Sequence, residues 1–396
     1  MTSYQLINGN SLEVLKTLPD NSVDAIVTDP PYGLSQHSQG DIVNALTAWL
    51  AGEEYTHGKG GFMGKEWDSF VPSPMLFKEC LRVLKPGGHM LCFAGARTQD
   101  LMGIAIRLAG FELRDSCLFL YGSGFPKGQN IAKGIEKHFG KEPIIVGERE
   151  DFARRRAKNN FKQFYAINPS EKAINSQAFQ EKIGAIYEYS TPEAKQWEGW
   201  NTNLKPAYEP ILMARKPLTG TVVENVLKHG VGGLNIDGCK VESTDVVGGR
   251  GCKKNTKGAV CFSEYKGEGY EPRRHTQGRY PANVILDGSE EVEALFPNDT
   301  QRFFYCAKAS KRDKDEGLEG MNPHPTVKNT ALMRHLVRLV TPKGGVVLDP
   351  FMGSGSTGKA CMYEGMQFIG VELNPDYVEI AKARIEFAKG DTDATE

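Results

Sequence analysis

Short apolar runs of strand length alternate with segments of helical spacing at both ends of this chain, and this alternation limits the possible folds more than any other feature. "SVDAIVTD" (22–29) reads as a buried strand, "FKECLRVL" (77–84) has helical apolar spacing that stops at Lys85-Pro86-Gly87-Gly88, and "HMLCFAG" (89–95) reads as a second buried strand. A helix near 98–109 and a strand at "RDSCLFLYG" (114–122) continue the series. The alternation resumes after Met321, with a helix at "ALMRHLVRLV" (331–340), a strand at "GGVVLDP" (344–350), a helix from about Thr357, a strand at "MQFIGVELN" (366–374) and a last helix at 376–388. Such βαβ alternation predicts an α/β fold: a Rossmann-like, doubly wound, mostly parallel sheet that receives ligands at the carboxyl ends of its strands.

Between these two stretches the pattern breaks. From about 125 to 203 the chain is basic and polar, with "ARRRAKNNFKQF" at 153–164, and it returns to one strand-like run at "EPILMARK" (209–216). From 220 to 320 it is rich in Gly, Lys and Arg and weakly periodic. The expected organisation of the 396 residues is a first half of the core at 1–128, a basic insertion at 129–203, a returning core strand at 204–219, a second inserted region at 220–320, a second half of the core at 321–390 and a frayed tail at 391–396. Hydrophobic residues are 40% and charged residues 24%, and no apolar run approaches the ~20 residues of a membrane span, so a cytoplasmic protein is expected. The eight cysteines are scattered without a C-x-x-C pair, which predicts reduced packing residues and neither a metal site nor a disulfide framework.

"FMGSGSTGKA" (351–360) can be read in two ways. From Gly353 it spells G-x-x-x-x-G-K, a phosphate loop, except that Ala360 replaces the hydroxyl residue that would hold Mg²⁺. A strand, a glycine turn and a helix start also make a nucleoside site, because backbone N–H groups converge there and glycine admits close approach. An acidic residue at the end of the next strand, about 20 residues on, separates the two readings, since it is placed to accept from ribose hydroxyls. Glu372 stands there, followed by Leu373 and Asn374, and favours the nucleoside reading.

Asp29-Pro30-Pro31-Tyr32 follows a predicted buried strand, so it falls at the same mouth of the sheet. The exocyclic amino nitrogen of a nucleobase is a poor nucleophile because its lone pair is delocalised into the ring. A carboxylate and a main-chain carbonyl accepting its two N–H bonds would localise that pair. Asp29 and the Pro30 carbonyl are the acceptors expected, consecutive prolines leave carbonyls free to face a ligand, and Tyr32 offers a face for stacking.

With "TDPPY" (28–32), "LKPGG" (84–88), "HPTVK" (324–328), "LDPFMGSGST" (348–357) and "GVELN" (370–374), the chain resembles the DNA amino-methyltransferases, the N6-adenine and N4-cytosine enzymes that use S-adenosylmethionine. The motif order, catalytic half first and cofactor half last, is similar to the permuted beta group. "YGSGFPKG" (121–128), "LKPAYEPILMARKPL" (204–218) and "GRYPANVI" (278–285) look like a phage and prophage branch. The resemblance implies that 1–128 is the catalytic half, 220–320 a target-recognition region and 321–390 the S-adenosylmethionine-binding half. It further implies that Asp29, Pro30, Pro31 and Tyr32 hold the target base, with Asp29 also touching the cofactor. Asp349, Pro350, Phe351, Gly353, Gly355, Ser356 and Thr357 would surround the methionine and adenosine portions, Glu372, Leu373 and Asn374 the ribose side, and His324, Thr326 and Lys328 would close the site. Asn10 stands where many relatives carry Asp in a cofactor-facing turn.

The expected reaction is direct, in-line methyl transfer to a base turned out of duplex DNA. Asp at the first motif position usually accompanies adenine in the family, so N6-adenine is the expected target, with N4-cytosine the alternative and a non-catalytic DNA-binding protein the reading from another class. "ENV" (224–226) matches a motif of the carbon-5 cytosine enzymes, but no Pro-Cys nucleophile accompanies it. Net charge is −1, so DNA contact must come from local clusters: Arg154, Arg155 and Arg156 in the first insertion, and Arg250, Lys253, Lys254, Lys257, Arg273, Arg274 and Arg279 in the second. Duplex DNA is the partner implied, and a cognate restriction endonuclease and a homodimer are compatible with the family.

Overall fold

The computed structural model of the protein describes residues 2–58, 68–122, 124, 128–150, 184–242, 278–308, 312–324 and 326–393. It divides into two units, one made of Met1–Gly122 with Tyr208–Glu396 and the other of Ser123–Ala207. In the first unit the chain runs β1 (Tyr4–Asn8), α1 (Ser11–Thr17), β2 (Val23–Thr28), α2 (Gln39–Ala51), α3 (Pro74–Val83), β3 (Leu84–Phe93), α4 (Gln99–Leu108) and β4 (Glu112–Leu120). The second unit contributes α5 (Ile131–His138), β5 (Ile144–Glu148), β6 (Ala185–Glu188) and α6 (Pro192–Gln196). The first unit then continues with β7 (Tyr208–Arg215), α7 (Val222–His229), β8 (Val284–Leu286), α8 (Glu290–Glu293), β9 (Tyr305–Cys306), α9 (Thr330–Val340), β10 (Val346–Asp349), α10 (Ser356–Tyr363), β11 (Gln367–Glu372) and α11 (Pro375–Asp393).

Nine strands form one sheet in the order β1-β11-β10-β2-β3-β7-β4-β8-β9. Every neighbouring pair is parallel except those of β7, which runs antiparallel to both β3 and β4. The mostly parallel, doubly wound sheet expected from the alternation is therefore present, with the returning strand inserted against its direction. All six residues of β2 are buried, as a central strand covered on both faces requires. Ala25 and Val27 face a core built with α9, α10 and α11, whereas Val23 and Ile26 face one built with α3 and α4. No helix among the described residues is long and apolar enough to cross a membrane.

Two local expectations need correction, and one chance motif match has a structural role. Lys85-Pro86-Gly87-Gly88 lies inside β3, which begins at Leu84, instead of ending a helix in a loop. It forms an irregularity opposite Val23 and Ala25, where Asn225 Nδ2 donates to the Pro86 carbonyl at 2.8 Å. Gly87 has φ +78°, and a Cβ there would meet the Asn225 amide. Secondly, "ENV" belongs to a helix: Glu224 closes a capping box with Thr221 at the start of α7, and Asn225 is the fully buried residue that reaches β3. Thirdly, the last helix continues to Asp393, beyond the expected end at 388 and into the expected tail.

The second unit pairs β5 with β6 in antiparallel register and packs α5 near α6. Buried Glu136 accepts from the backbone and hydroxyl of both Thr191 and Ser190 at 2.7–2.9 Å. These donors, Thr191 first, hold its carboxyl down at about 2.

Candidate active site

Thr28 and Asp349 are 321 residues apart in sequence, yet the Thr28 hydroxyl donates to Asp349 Oδ1 at 2.7 Å. The contact follows from topology, because β2 and β10 are parallel neighbours with Ala25 opposite Val347 and Ile26 opposite Leu348. Asp29-Pro30-Pro31-Tyr32 and the Gly353 loop therefore leave the sheet side by side at its carboxyl edge.

The turn after β2 is held by residues without motif character. Asp68 Oδ1 accepts from the backbone N–H of Tyr32 at 2.8 Å and of Gly33 at 2.9 Å, and the Thr98 hydroxyl donates to the Tyr32 carbonyl at 2.6 Å. Burial raises the Asp68 pKa and the nearby Asp29 charge adds to this, against the pull of the Gly33, Tyr32 and Leu34 N–H donors. Sequence reading missed both residues, for Asp68 lies 36 positions from Tyr32 and Thr98 lies 66.

Both Asp29 oxygens have partners. The Tyr32 hydroxyl donates to Oδ1 at 2.7 Å, and Lys328 Nζ lies 2.8 Å from Oδ2. The ammonium also donates to the Tyr32 hydroxyl at 3.1 Å and pairs with Glu209 Oε2 at 3.3 Å. Lys328, expected to close the site on the cofactor side, has its ammonium on Asp29 and Tyr32 of the turn after β2. Burial works against the ammonium, but Asp29 and Glu209 outweigh it and the Lys328 pKa rises. Burial, reinforced by the same two carboxylates, raises the Tyr32 phenol well above its ordinary value, so Tyr32 remains a neutral donor.

In the second loop, Gly353 has φ +50° and a Cβ there would lie 2.7 Å from His324 Nε2, so His324 closes directly over the glycine. The His324 ring packs edge-on against Tyr377 at 4.5 Å. Thr326 is exposed, and its N–H donates to His324 Nδ1 at 3.3 Å. Glu372 Oε2 accepts from Gly353 N–H at 3.0 Å and Oε1 from Asn374 N–H at 2.8 Å. Each carboxylate oxygen has a second lone pair for an incoming hydroxyl. Leu373 beside it is 62% exposed, an apolar side chain at the rim, and the Asn374 side chain caps α11 by accepting from Asp376 N–H at 2.9 Å.

Three expected contact residues turn inward. Asp349 is buried and accepts from Thr28, from Phe351 N–H at 3.0 Å and from the Thr357 hydroxyl at 2.6 Å. Burial lifts its pKa to about 6 against these donors. The Ser356 hydroxyl accepts from buried Arg384 at 3.2 Å, and the same guanidinium group donates to the Ser354 carbonyl at 2.6 Å. These side chains hold the loop rather than surround its ligand, because the first turn of α10 is enclosed by β2 and α11. Buried Pro350 uses its carbonyl to accept from the Ser11 hydroxyl at 2.5 Å, and Phe351 is partly buried against the α3 side of the core. Asn10 is the N-cap of α1, its side-chain oxygen accepting from Leu12 N–H at 3.0 Å and Glu13 N–H at 3.4 Å, so that oxygen already has two donors. Lys359 is fully buried against Asp313 and Glu316, which removes it from any phosphate.

Of the basic residues expected at DNA, Arg154, Arg155, Arg156, Arg250, Lys253, Lys254, Lys257, Arg273 and Arg274 lie outside the described residues. Arg279 stacks over the Phe303 ring at 4.0 Å, with Arg302 on the same ring at 4.5 Å. Cys80, Cys92, Cys117, Cys239 and Cys361 are free and buried packing residues, and Cys306 is partly buried.

The type II methyltransferase M.HpaI of Haemophilus parainfluenzae is 39% identical over 385 residues, 96% of this chain and 74% of that protein. The type II methyltransferase M.HindIII of Haemophilus influenzae (strain ATCC 51907 / DSM 11121 / KW20 / Rd) is 24% identical over 407 residues, 97% of this chain and 96% of that protein. Among solved structures, the M1.HpyAVI-SAM complex aligns over 96% of this chain and 98% of that chain at 16% identity, with a TM-score of 0.40. A family model described as DNA methylase, covering the N6 and N4 methyltransferases, matches residues 23–383. That match runs from the start of β2 into α11 and leaves only β1, α1 and the end of the last helix outside its bounds, so the chain belongs to the DNA methylase family of N6 and N4 methyltransferases.

Proposed function

We propose that this DNA methylase transfers a methyl group from S-adenosylmethionine to the exocyclic N6 amino group of adenine, at a specific site in duplex DNA and with the target base turned out of the helix. The observation that carries the proposal is the adjacency of β2 and β10, which sets a carboxyl acceptor, Asp29, beside a glycine loop backed by Glu372. Asp at the first motif position favours adenine over cytosine.

The residues present fit S-adenosylmethionine. Gly353 has no side chain between the loop backbone and His324, Glu372 is oriented by two backbone donors and has lone pairs to spare for ribose hydroxyls, and Leu373 offers exposed apolar surface at the rim. When bound, this donor supplies an electrophilic methyl group on a sulfonium. Asp29 and the Pro30 carbonyl accept from the amino group and localise its lone pair for in-line attack, and the Tyr32 ring supports the base. Asp68 and Thr98 fix the backbone of that turn, so the acceptors are set in place before the base arrives.

Expression in a methylation-deficient host followed by base-resolved sequencing of methylated positions tests the proposal. N6-methyladenine in one sequence context is expected. N4-methylcytosine would reassign the base, and unmodified DNA would overturn the reading.

A further inference from the structure

Each oxygen of Asp29 already holds a partner, Tyr32 on Oδ1 at 2.7 Å and Lys328 on Oδ2 at 2.8 Å, so an incoming amino group meets an acceptor that is already engaged. A base that hydrogen-bonds to this carboxylate must share or displace one of them. The Lys328 and Asp29 side chains are only 13% and 19% exposed, and the ammonium lies 4.9 Å from the centre of the Phe93 ring. An ammonium leaving Asp29 without another anion within reach would keep only a cation–π contact with that ring, which offsets only part of the cost of an unpaired buried charge.

Glu209 supplies the other anion. It lies on β7, paired with Phe119 of β4, and its Oε2 is 3.3 Å from Lys328 Nζ. Two carboxylates therefore share one ammonium. The two ion-pair distances differ by half an ångström, so a small rotation at the end of the lysine side chain moves it from one partner to the other.

We propose that Glu209 is a positioning residue that takes over Lys328 as the target base takes Asp29, so the base enters by an exchange of partners and not by rupture of an ion pair. The inference rests on Asp29 as the acceptor of the target amino group. It gives the antiparallel strand a part in the reaction, since β7 brings Glu209 to the mouth formed by β2.

The test measures binding to two duplexes. One carries the site found by methylation sequencing; the other is identical except that the target base lacks its amino group. Glu209→Gln is expected to bind the intact duplex about tenfold more weakly than wild type, with unchanged affinity for the amino-less duplex and for S-adenosylmethionine. The loss should fall on KM for DNA. Glu209→Asp keeps the charge and is expected to stay within about threefold of wild type. Equal weakening of both duplexes by Glu209→Gln, or Glu209→Asp as impaired as Glu209→Gln, overturns the role of Glu209 alone. Wild-type protein that binds both duplexes alike overturns the role of Asp29, and that of Glu209 with it.

Discussion

Replacing Lys359 by Met removes a charge from the interior while keeping most of the side-chain volume. Lys359 follows Gly358 at the position where a phosphate loop would aim its lysine at a nucleotide. Here Nζ is fully buried, 2.9 Å from Asp313 Oδ1, 3.1 Å from the Asp313 carbonyl and 2.7 Å from Glu316 Oε2. The Glu316 side chain is 31% exposed and can turn to water, so its share of the loss is that of a partly exposed pair, about 1 kcal/mol or less. The Asp313 side chain is 12% exposed and tied to Thr330 N–H at 2.8 Å, so it keeps a buried, unpaired charge. Breaking such a pair costs about 3–5 kcal/mol. Because Arg384 remains within reach of the Asp313 carbonyl, at 3.4 Å, the lower end is expected, about 3 kcal/mol. At roughly 2–4 °C per kcal/mol for a domain this large, Tm should fall by about 6–12 °C. Thermal and urea unfolding of Lys359→Met, Asp313→Asn and the double variant should give a double variant less destabilised than the sum. A loss below about 1 kcal/mol with additive behaviour would refute the ion-pair reasoning. A folded Lys359→Met protein that had lost a wild-type affinity for ATP would restore the phosphate-loop reading.

Asp29→Ala should lower the rate of methyl transfer from labelled S-adenosylmethionine to DNA by about a hundredfold or more, and a variant retaining over a tenth of the rate would remove Asp29 from its role. Asp349 has a folded pKa raised from 3.8 to about 6, so the folded state binds an extra proton between those values. Its contribution to stability is full below the lower pH and is lost as pH rises through the upper one, about 3 kcal/mol in all. Asp349→Asn should flatten that part of the stability profile in urea unfolding across pH 4–7, and an unchanged slope would assign it to other groups. Gly355 has φ +78°, and a Cβ would lie 2.8 Å from the Ala381 Cβ, so Gly355→Ala should strain the turn and push α10 from α11. A loss of about 3 kcal/mol is expected by chemical denaturation, and a neutral change would show that the loop adjusts freely.

Strands β2, β3, β10 and β11 were legible because each is an apolar run buried on both faces, a pattern that depends only on local sequence. Lys85-Pro86-Gly87-Gly88 misled because its local chemistry breaks structure, whereas the partner that keeps it in the strand, Asn225, is 139 residues beyond Pro86. The reversal of β7 was invisible for a related reason, since "EPILMARK" records burial but not direction. At the candidate site, Asp29, Gly353 and Glu372 stand out through motifs, because close backbone approach and a carboxyl acceptor restrict residue type. Asp68, Thr98 and Glu209 were not found, as their work is done on another segment's backbone or ammonium and any residue reaching that point from elsewhere would serve. Motif spacing also could not tell which side of the loop a hydroxyl faces. Ser356 and Thr357 therefore read as ligand contacts although both point into the protein.

The inward-facing side chains bear on catalysis through the brevity of the join between the two halves of the core. The ladder between β2 and β10 pairs only Ala25 with Val347 and Ile26 with Leu348, too short a contact to fix by itself how far each strand end projects. Asp349 supplies what the ladder lacks. One carboxylate oxygen accepts from Thr28 of β2 and from Phe351 of the glycine loop, and the other accepts from Thr357 at the start of α10. A single buried side chain thus sets the height of Asp29 relative to Gly353. The proposed in-line transfer depends on that height, because a displacement of about 1 Å between acceptor and donor sites can cost a hundredfold in rate. Burying a carboxyl whose pKa stands near 6 lowers stability at neutral pH, and the return is that the Asp29–Tyr32 turn and the glycine loop, encoded at opposite ends of the chain, keep one fixed separation.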